Sequence, residues 1–415
     1  MMSSKKIVVV GAGIVGVSAA IWLKRAGHSV TLIDKGEPGQ GASFGNAGLL
    51  ASCAMVPVTG PGLLTKAPGM LLDKNYPLFM RWSYLPKILP WLLRYMSNAN
   101  DSDTQRIASG IAGVVTDSVQ QHHELSGNTA ANAFVQPSNY SYAYSNRAAF
   151  DADSYSWDIR RKHGFIPELI EGAAVQEVEP FLNDSVGLLA QMTDHGFVLN
   201  PGGYVAALAQ VFVEMGGQLV QEQVSDFKLV GSKVTAVQTT EGQYDCDAAV
   251  LAAGIWAKPL LQKLGISVPL EAERGYHILF KEPNSKPKQP IMMAEGKFVA
   301  TPMHMGLRCA GIVELGGIDA GPSKQPLEFL RKSVKTYFPE FRAEDEEEWL
   351  GFRPAPSDSL PLIGQVGSSG VYTAFGHHHI GLTAGPKTGR LVAEMISGQA
   401  LSADVDAYRP ERFRT

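Results

Sequence analysis

Cysteine is scarce. Three thiols, Cys53, Cys246 and Cys309, occur in 415 residues, far apart and with no CxxC pair. That excludes a disulfide framework and suits a reducing compartment. Charge of one sign is also lacking: 36 Lys and Arg stand against 40 Asp and Glu. The net charge of −4 offers no general attraction to nucleic acid. No apolar run is clean enough to span a bilayer. Lys5-Lys6 ahead of an apolar run imitates a leader, but no A-x-A-like site follows and a second strand pattern comes too soon. A cytoplasmic protein is expected. Internal repeats and low-complexity tracts are missing too. The remainder is ordinary globular material, 45% hydrophobic and 18% charged, long enough for a two-domain unit.

Glycine is where the sequence becomes specific. The run Ile7-Val8-Val9-Val10 ends in Gly11-Ala12-Gly13-Ile14-Val15-Gly16, a GxGxxG spacing. A helical pattern over 17–26 follows, then a break at Gly27-His28, then Val30-Thr31-Leu32-Ile33 and Asp34. Strand, tight turn, helix, strand and acid within about thirty residues predict a dinucleotide site. Gly11 permits the turn, Gly13 admits a pyrophosphate to the backbone, and Gly16 lets helix pack on strand. The helix N-terminus offers N–H donors and a positive dipole end, and Asp34 a carboxylate for a ribose diol.

Farther on, 57–68 reads as a Pro/Gly-rich connector. The stretch 78–96 is apolar and aromatic but broken by three cations and two prolines. It either lies on a membrane surface or forms a core or lid helix pair. The pattern predicts helices over 101–127, 152–164, 204–215 (with Asn200-Pro201 as cap), 327–338 and 387–397. Strands are expected over 134–150, with Tyr140, Tyr142 and Tyr144 on one face, and as two pieces around Asp194-His195-Gly196. Others are expected over 218–224, 233–240, 244–254, 271–280, 297–302, 306–317 and 371–375. The run 344–348 reads as a solvated acidic face, and Arg353 falls in a Pro-restricted loop.

Three distant stretches point one way: the GxGxxG with Asp34, the strand ending Ala252-Ala253-Gly254, and Gly376-His377-x-His379-x-Gly381-Leu382-Thr383. Together they resemble the D-amino-acid oxidase superfamily of FAD proteins. More narrowly, several stretches look like bacterial D-amino-acid dehydrogenases of the small-subunit type. These are Ser43-Phe44-Gly45-Asn46-Ala47-Gly48, Arg274-Gly275-Tyr276-His277, Gly311-x-x-Glu314-x-Gly316-Gly317, Gly351-Phe352-Arg353-Pro354 with 358–364, and Tyr408-Arg409-Pro410. The likeness covers nearly the whole chain. It implies an α/β plus α+β fold: a Rossmann-like FAD-binding domain (1–60, 200–268 and 351–415) interleaved with an antiparallel-sheet substrate domain (61–199 and 269–350). FAD is expected to be non-covalent, because no Cys or His falls at an attachment position. The residues implied to hold it are Gly11, Gly13, Ile14, Val15, Gly16, Asp34, Lys35, Ser43, Asn46, Ala47, Gly48, Leu49, Val224, Ala253, Gly254, Gly376, His379, Gly381, Leu382 and Thr383.

The implied reaction moves a hydride from the α-carbon of a D-amino acid to flavin, with electrons passed to a quinone or other carrier. Arg353 matches the family's carboxylate clamp, a planar fork that grips two oxygens. Tyr276 matches a phenol reaching the same carboxylate. His377 and His379 are placed near the flavin ring, where an imidazole titrates in a useful range. The histidines also mimic a metal tract, but no Cys or acid cluster accompanies them, and no metal is expected. Alanine-degrading members carry Gly-His-Gly-Thr where this chain has Gly376-His377-His378-His379. That departure looks more like the D-proline and hydroxyproline branch, with cis-4-hydroxy-D-proline or D-proline as substrate. Two other readings stay open: an oxygen-using oxidase of the glycine or sarcosine type, and a flavin electron-relay subunit. No second GxGxxG occurs, so a nicotinamide site is not expected.

Overall fold

The computed structural model describes residues 4–72 and 77–413. The N-terminal motif folds as its pattern predicts, into strand β1 (Lys6–Val10), helix α1 (Ile14–Arg25) and strand β2 (Ser29–Asp34). β1 is central in a six-stranded sheet ordered Leu362–Gln365, Val371–Phe375, Ala248–Leu251, β1, β2, Gln218–Gln221. All its pairings are parallel except that of Leu362–Gln365 with Val371–Phe375. Both faces are covered, which is why β1 and Ala248–Leu251 read as unbroken apolar runs. α1 packs against the long helix Gly381–Ser397, where Gly385 meets Ile14 and Gly389 meets Ser18 and Ala19.

A second, ten-stranded sheet is mostly antiparallel. Its main path runs Asp345–Pro356, Leu270–Lys281, Gly306–Leu315, Phe298–Met303, Ile291–Met293, Val135–Tyr144, Leu188–Val198, Leu49–Leu50. A three-stranded meander, Val224–Val230 with Lys233–Thr239 and Gln243–Asp245, completes the strands. The chain crosses between the two large sheets repeatedly. Asp345–Pro356 runs unbroken through position 350, and Leu49–Leu50 joins the large sheet.

Several elements differ from expectation for local reasons. A helix, Leu63–Leu72, begins inside the expected connector. The 101–127 helix is two, Asp101–Val115 and Ser118–Ser126, parted at Thr116-Asp117; Asp117 turns its carboxylate to Lys387 and Gln121. The tyrosine strand stops at Tyr144, because Asn146 accepts from the Ala149 N–H and caps a new helix, Arg147–Ala152. Its three tyrosines do share one aromatic cluster, with Phe150 and Trp157. Leu188–Val198 is one strand rather than two. Asp194 takes a left-handed φ of +58°, and the register slips between Ser138 and Tyr140, so the irregularity is a bulge. The 244–254 run is cut in two: Gln243–Asp245 joins the meander and Ala248–Leu251 the parallel sheet. Gly381–Ser397 starts six residues before the expected 387, with Pro386 inside its first turns.

Arg353 is corrected most. It lies on the strand Asp345–Pro356, not in a loop. Pro354 and Pro356 are tolerated because this strand is the sheet's edge. The acidic run is the solvated end of the same strand, where Glu346 and Glu348 meet Arg331 and Glu347 meets Lys281.

Candidate active site

The carboxyl ends of β1, β2, Ala248–Leu251 and Val371–Phe375 open onto a cavity of about 1590 Å³. That is where an open parallel sheet places its ligand, and the volume exceeds the ~300–1,000 Å³ of an ordinary small-molecule pocket. Gly13 is the N-cap of α1, and Ser43 Oγ accepts from the Ile14 N–H at 3.1 Å. Asp34 ties the glycine turn to its strand by accepting from the N–H groups of Ala12 (2.6 Å) and Gly36 (2.9 Å). A carboxylate has about four acceptor sites, so capacity for a diol remains. The Lys35 ammonium sits 4.1 Å over the Trp256 ring. A Cβ built on Gly13 would meet only Ser43 Oγ, at 3.3 Å. Nothing in the protein needs that position bare; a pyrophosphate lying on the backbone would. The donor-rich turn, the acid at the second strand end and the depth of the cavity fit a flavin dinucleotide.

The opposite wall comes from the large sheet. Strand parity sends Glu273 and Gly275 to one face of Leu270–Lys281 and Arg274 and Tyr276 to the other. Glu273, Gly275, Trp349, Gly351 and Arg353 line the cavity. The Arg353 guanidinium lies over Gly275, where a Cβ would come within 2.6 Å of Cζ. It donates one long bond, 3.4 Å, to the Ile312 carbonyl and forms no ion pair among the described residues. Burial lowers its pKa while Glu273 opposes the shift. Such a fork is available to a ligand carboxylate.

Tyr276 borders the cavity, but its hydroxyl is already engaged: it donates to Glu314 Oε2 at 2.6 Å and accepts from the Ser323 N–H at 3.0 Å, inside a network with Arg274. The three histidines all border the cavity but take different partners. His377 turns its Nε2 to Thr388 Oγ1 at 2.8 Å, and burial lowers its pKa to about 3, so it locks the turn to the helix. His378 takes a left-handed φ of +51° and brings Nε2 within 2.6 Å of Glu273 Oε2. His379 opens onto the cavity; removal from bulk water, then His378 beside it, lower its pKa to about 3. Gly376, Gly381, Leu382 and Thr383 also line the cavity, the last three at the N-terminus of Gly381–Ser397.

Ser43, Asn46, Ala47, Leu49, Val224, Ala253 and Gly254 are brought to the same cavity, with Gly11, Ile14 and Val15. Gly16 and Gly48 are not on its wall. Gly16 is pressed against Gly11, and Gly48 against the Val198 carbonyl and Met303. Sequence reasoning missed Glu273, His378, Trp349 and Arg160. The first had a signal: two acids, Glu271 and Glu273, inside an otherwise apolar strand pattern. Arg160 had none, because the aromatic rings it lies over, Tyr142 and Trp157 (4.5 and 4.6 Å), come from a distant strand and its own helix.

The aromatic segment covers one end of the cavity. Ile88, Trp91 and Tyr95 of the helix Leu85–Ser97 are buried against Leu315 and Ala355, with the Trp91 indole N–H donating to the Ala355 carbonyl at 3.0 Å. Trp82, Leu89 and Leu93 face outward. Among the described residues no helix is long and apolar enough to cross a membrane, and no group of three or more His, Cys, Asp or Glu could hold a metal ion.

Residues 6–395 match the family model DAO, described as FAD dependent oxidoreductase. A D-amino-acid oxidase of Bradyrhizobium diazoefficiens is 38% identical over the full length of both chains. A D-amino acid dehydrogenase of Paramagnetospirillum magneticum is 28% identical over 98% of this chain and 99% of its own. Among solved structures, glycine oxidase from Geobacillus kaustophilus superposes with a TM-score of 0.74 at 20% identity, covering 99% of this chain and all of its own.

Proposed function

This chain belongs to the DAO family of FAD-dependent oxidoreductases, and from that premise we propose that it oxidises a D-amino acid at the α-carbon. The observation that carries the proposal is Arg353, a guanidinium with no ion pair among the described residues, on the cavity wall facing the flavin-binding sheet. FAD supplies a two-electron acceptor when bound, here without a covalent link. The protein's part is to grip the carboxylate with Arg353, to seal the site with the Trp91 and Tyr95 helix, and to set a neutral imidazole, His379, beside the substrate. Electrons pass to a quinone or other carrier. Oxygen is the second reading, favoured by the name of the 38% identical relative. A bare relay subunit would have no use for Arg353.

For the substrate, His379 supports a cyclic secondary amine bearing a hydroxyl, with cis-4-hydroxy-D-proline first and D-proline next. A site that pairs a substrate hydroxyl discriminates strongly against the analogue lacking it. In steady-state assays with a dye acceptor and with oxygen, cis-4-hydroxy-D-proline should exceed D-alanine in kcat/KM. His379→Gly should narrow that preference more than it slows D-alanine. Arg353→Ala should cost roughly ten- to a hundredfold in kcat/KM with flavin retained. D-alanine or a basic D-amino acid as clearly the best substrate would remove the hydroxyproline reading. Flavin that no D-amino acid reduces anaerobically would remove the function itself.

The site of action we propose is the cytoplasm, with peripheral contact to the inner face of the membrane through Trp82, Leu89 and Leu93. The basic Lys87 and Arg94 of the same segment are exposed as well, a composition suited to an interface. The protein should co-sediment with anionic liposomes at low salt and less so at high salt. No binding at low salt would leave the segment as a lid only.

A further inference from the structure

Glu273 is the one acid of the reacting wall, and the reading above does not use it. It is 7% exposed, in the middle of the Leu270–Lys281 strand. Its only polar contact among the described residues is His378 Nε2, 2.6 Å from Oε2. A carboxylate taken out of water is costly unless its oxygens are paired, and here the second oxygen has no partner. Its surroundings are mixed. His378 and His379 approach from the turn before the last helix, Arg353 from the neighbouring strand and Tyr95 from the aromatic helix. Glu271, two positions along, is spoken for by the Tyr84 hydroxyl at 3.0 Å. Burial would raise the Glu273 pKa, but His378, then Arg353, outweigh that effect and lower it below the usual carboxylate value.

The register gives this acid a meaning. Glu273 and Arg353 are direct cross-strand partners, on strands about 4.8 Å apart, with Gly275 clearing the space beside them. An amino acid carries its ammonium and carboxylate on one carbon, so a complementary site needs a cation and an anion side by side. We propose that Glu273 receives the α-ammonium of the substrate while Arg353 receives its carboxylate, the two forming one site for a zwitterion. This rests on the D-amino-acid reading and adds to it a second recognition group and a destination for a proton. Oxidation at the α-carbon needs the nitrogen lone pair. One N–H bond of the bound ammonium therefore breaks, and the proton moves to the Glu273 carboxylate, which becomes a neutral acid beside His378. The amine is left neutral, the form from which a hydride can depart.

The test compares Glu273→Gln and His378→Asn with wild type as flavin-loaded enzyme. Asparagine tolerates the left-handed backbone at 378. Flavin content verifies folding, so either variant alone keeps the test open. Two probes differ only by the amine: D-proline, followed by anaerobic flavin reduction, and cyclopentanecarboxylate, followed by the flavin absorbance change on binding. Glu273→Gln should weaken D-proline roughly ten- to a hundredfold and leave cyclopentanecarboxylate unchanged or tighter. Its kcat/KM should climb about tenfold per pH unit toward the pKa of the free amine, where wild type is flatter. His378→Asn should move both readouts in the same direction by less. Equal losses for both probes, or parallel pH profiles, would overturn the zwitterion site. Failure of D-amino acids to reduce the wild-type flavin would instead overturn the function on which it rests.

Discussion

A methyl group added at Gly16 would sit 1.8 Å from the Gly11 carbonyl oxygen, whereas one added at Gly13 finds only a serine hydroxyl at 3.3 Å. The two glycines of one motif therefore answer to different partners. Gly16→Ala should destabilise the flavin-free protein by about 1–3 kcal/mol or more, as overpacking does. Gly13→Ala should cost the flavin-free protein no more than about 1 kcal/mol, the scale of an altered N-cap, yet sharply weaken flavin retention. Thermal unfolding of both variants stripped of flavin, followed by titration with FAD, measures the split. Equal destabilisation would refute it. These roles were legible in the sequence because a backbone requirement leaves glycine little alternative. Side-chain direction was not. Tyr276 and Glu273 differ by an odd number of positions on one strand, so their side chains leave opposite faces although both residues border the cavity. Which face meets the cavity is set by the sheet around that strand, whose pairing with Gly306–Leu315 slips between Tyr276 and His277.

At the scale of elements, three helices meet on one imidazole. His122 of Ser118–Ser126 donates from Nε2 to the Leu382 carbonyl at 2.9 Å, which obliges Nδ1 to accept from the Tyr204 hydroxyl at 2.9 Å. Burial is the main cause that lowers its pKa to about 4, against the Leu382 bond that favours the charged form. The unfolded chain takes up that proton near pH 6.5, the folded one only near 4. Stability from this group is therefore complete above pH 6.5 and drains as the pH falls toward 4, by about 1.4 kcal/mol per unit. Over the full window that amounts to about 3 kcal/mol. Urea unfolding of wild type and His122→Gln at pH 7.5 and pH 5 should show the gap between them closing at the lower pH. A gap independent of pH would mean the imidazole is not buried neutral. None of this was readable beforehand, because His122, Tyr204 and Leu382 are far apart in sequence. Elements with period and punctuation of their own, such as α1 or the Asn200-capped helix Pro201–Glu214, were readable. The Arg353 strand was missed for the opposite reason: its prolines signal a loop, and only its place at the edge of the sheet makes them acceptable.

For the whole molecule, the FAD-binding architecture showed itself through three glycine-marked strand ends, since each is a local demand on the backbone. The wall that faces it did not. The large sheet is assembled from segments between Leu49 and Pro356 whose pairing partners are set by packing, not by sequence neighbours. The cavity volume, the bulge at Asp194 and the closeness of Glu273 to Arg353 are properties of that assembly.

The threading of β1 has a further consequence during synthesis. The phosphate turn is made long before its second strand neighbour, which begins at Ala248, and before the next strand out, at Val371. At about 5–20 residues per second, roughly 12–48 s pass between β1 and Ala248. Through that interval β1 is an apolar strand with one edge unpaired, a template for wrong partners. The nascent protein should therefore depend on a holdase-type chaperone until Ala248–Leu251 emerges, and vitamin supply can influence its yield only once Thr383 has followed, when a completed pocket first exists to be filled.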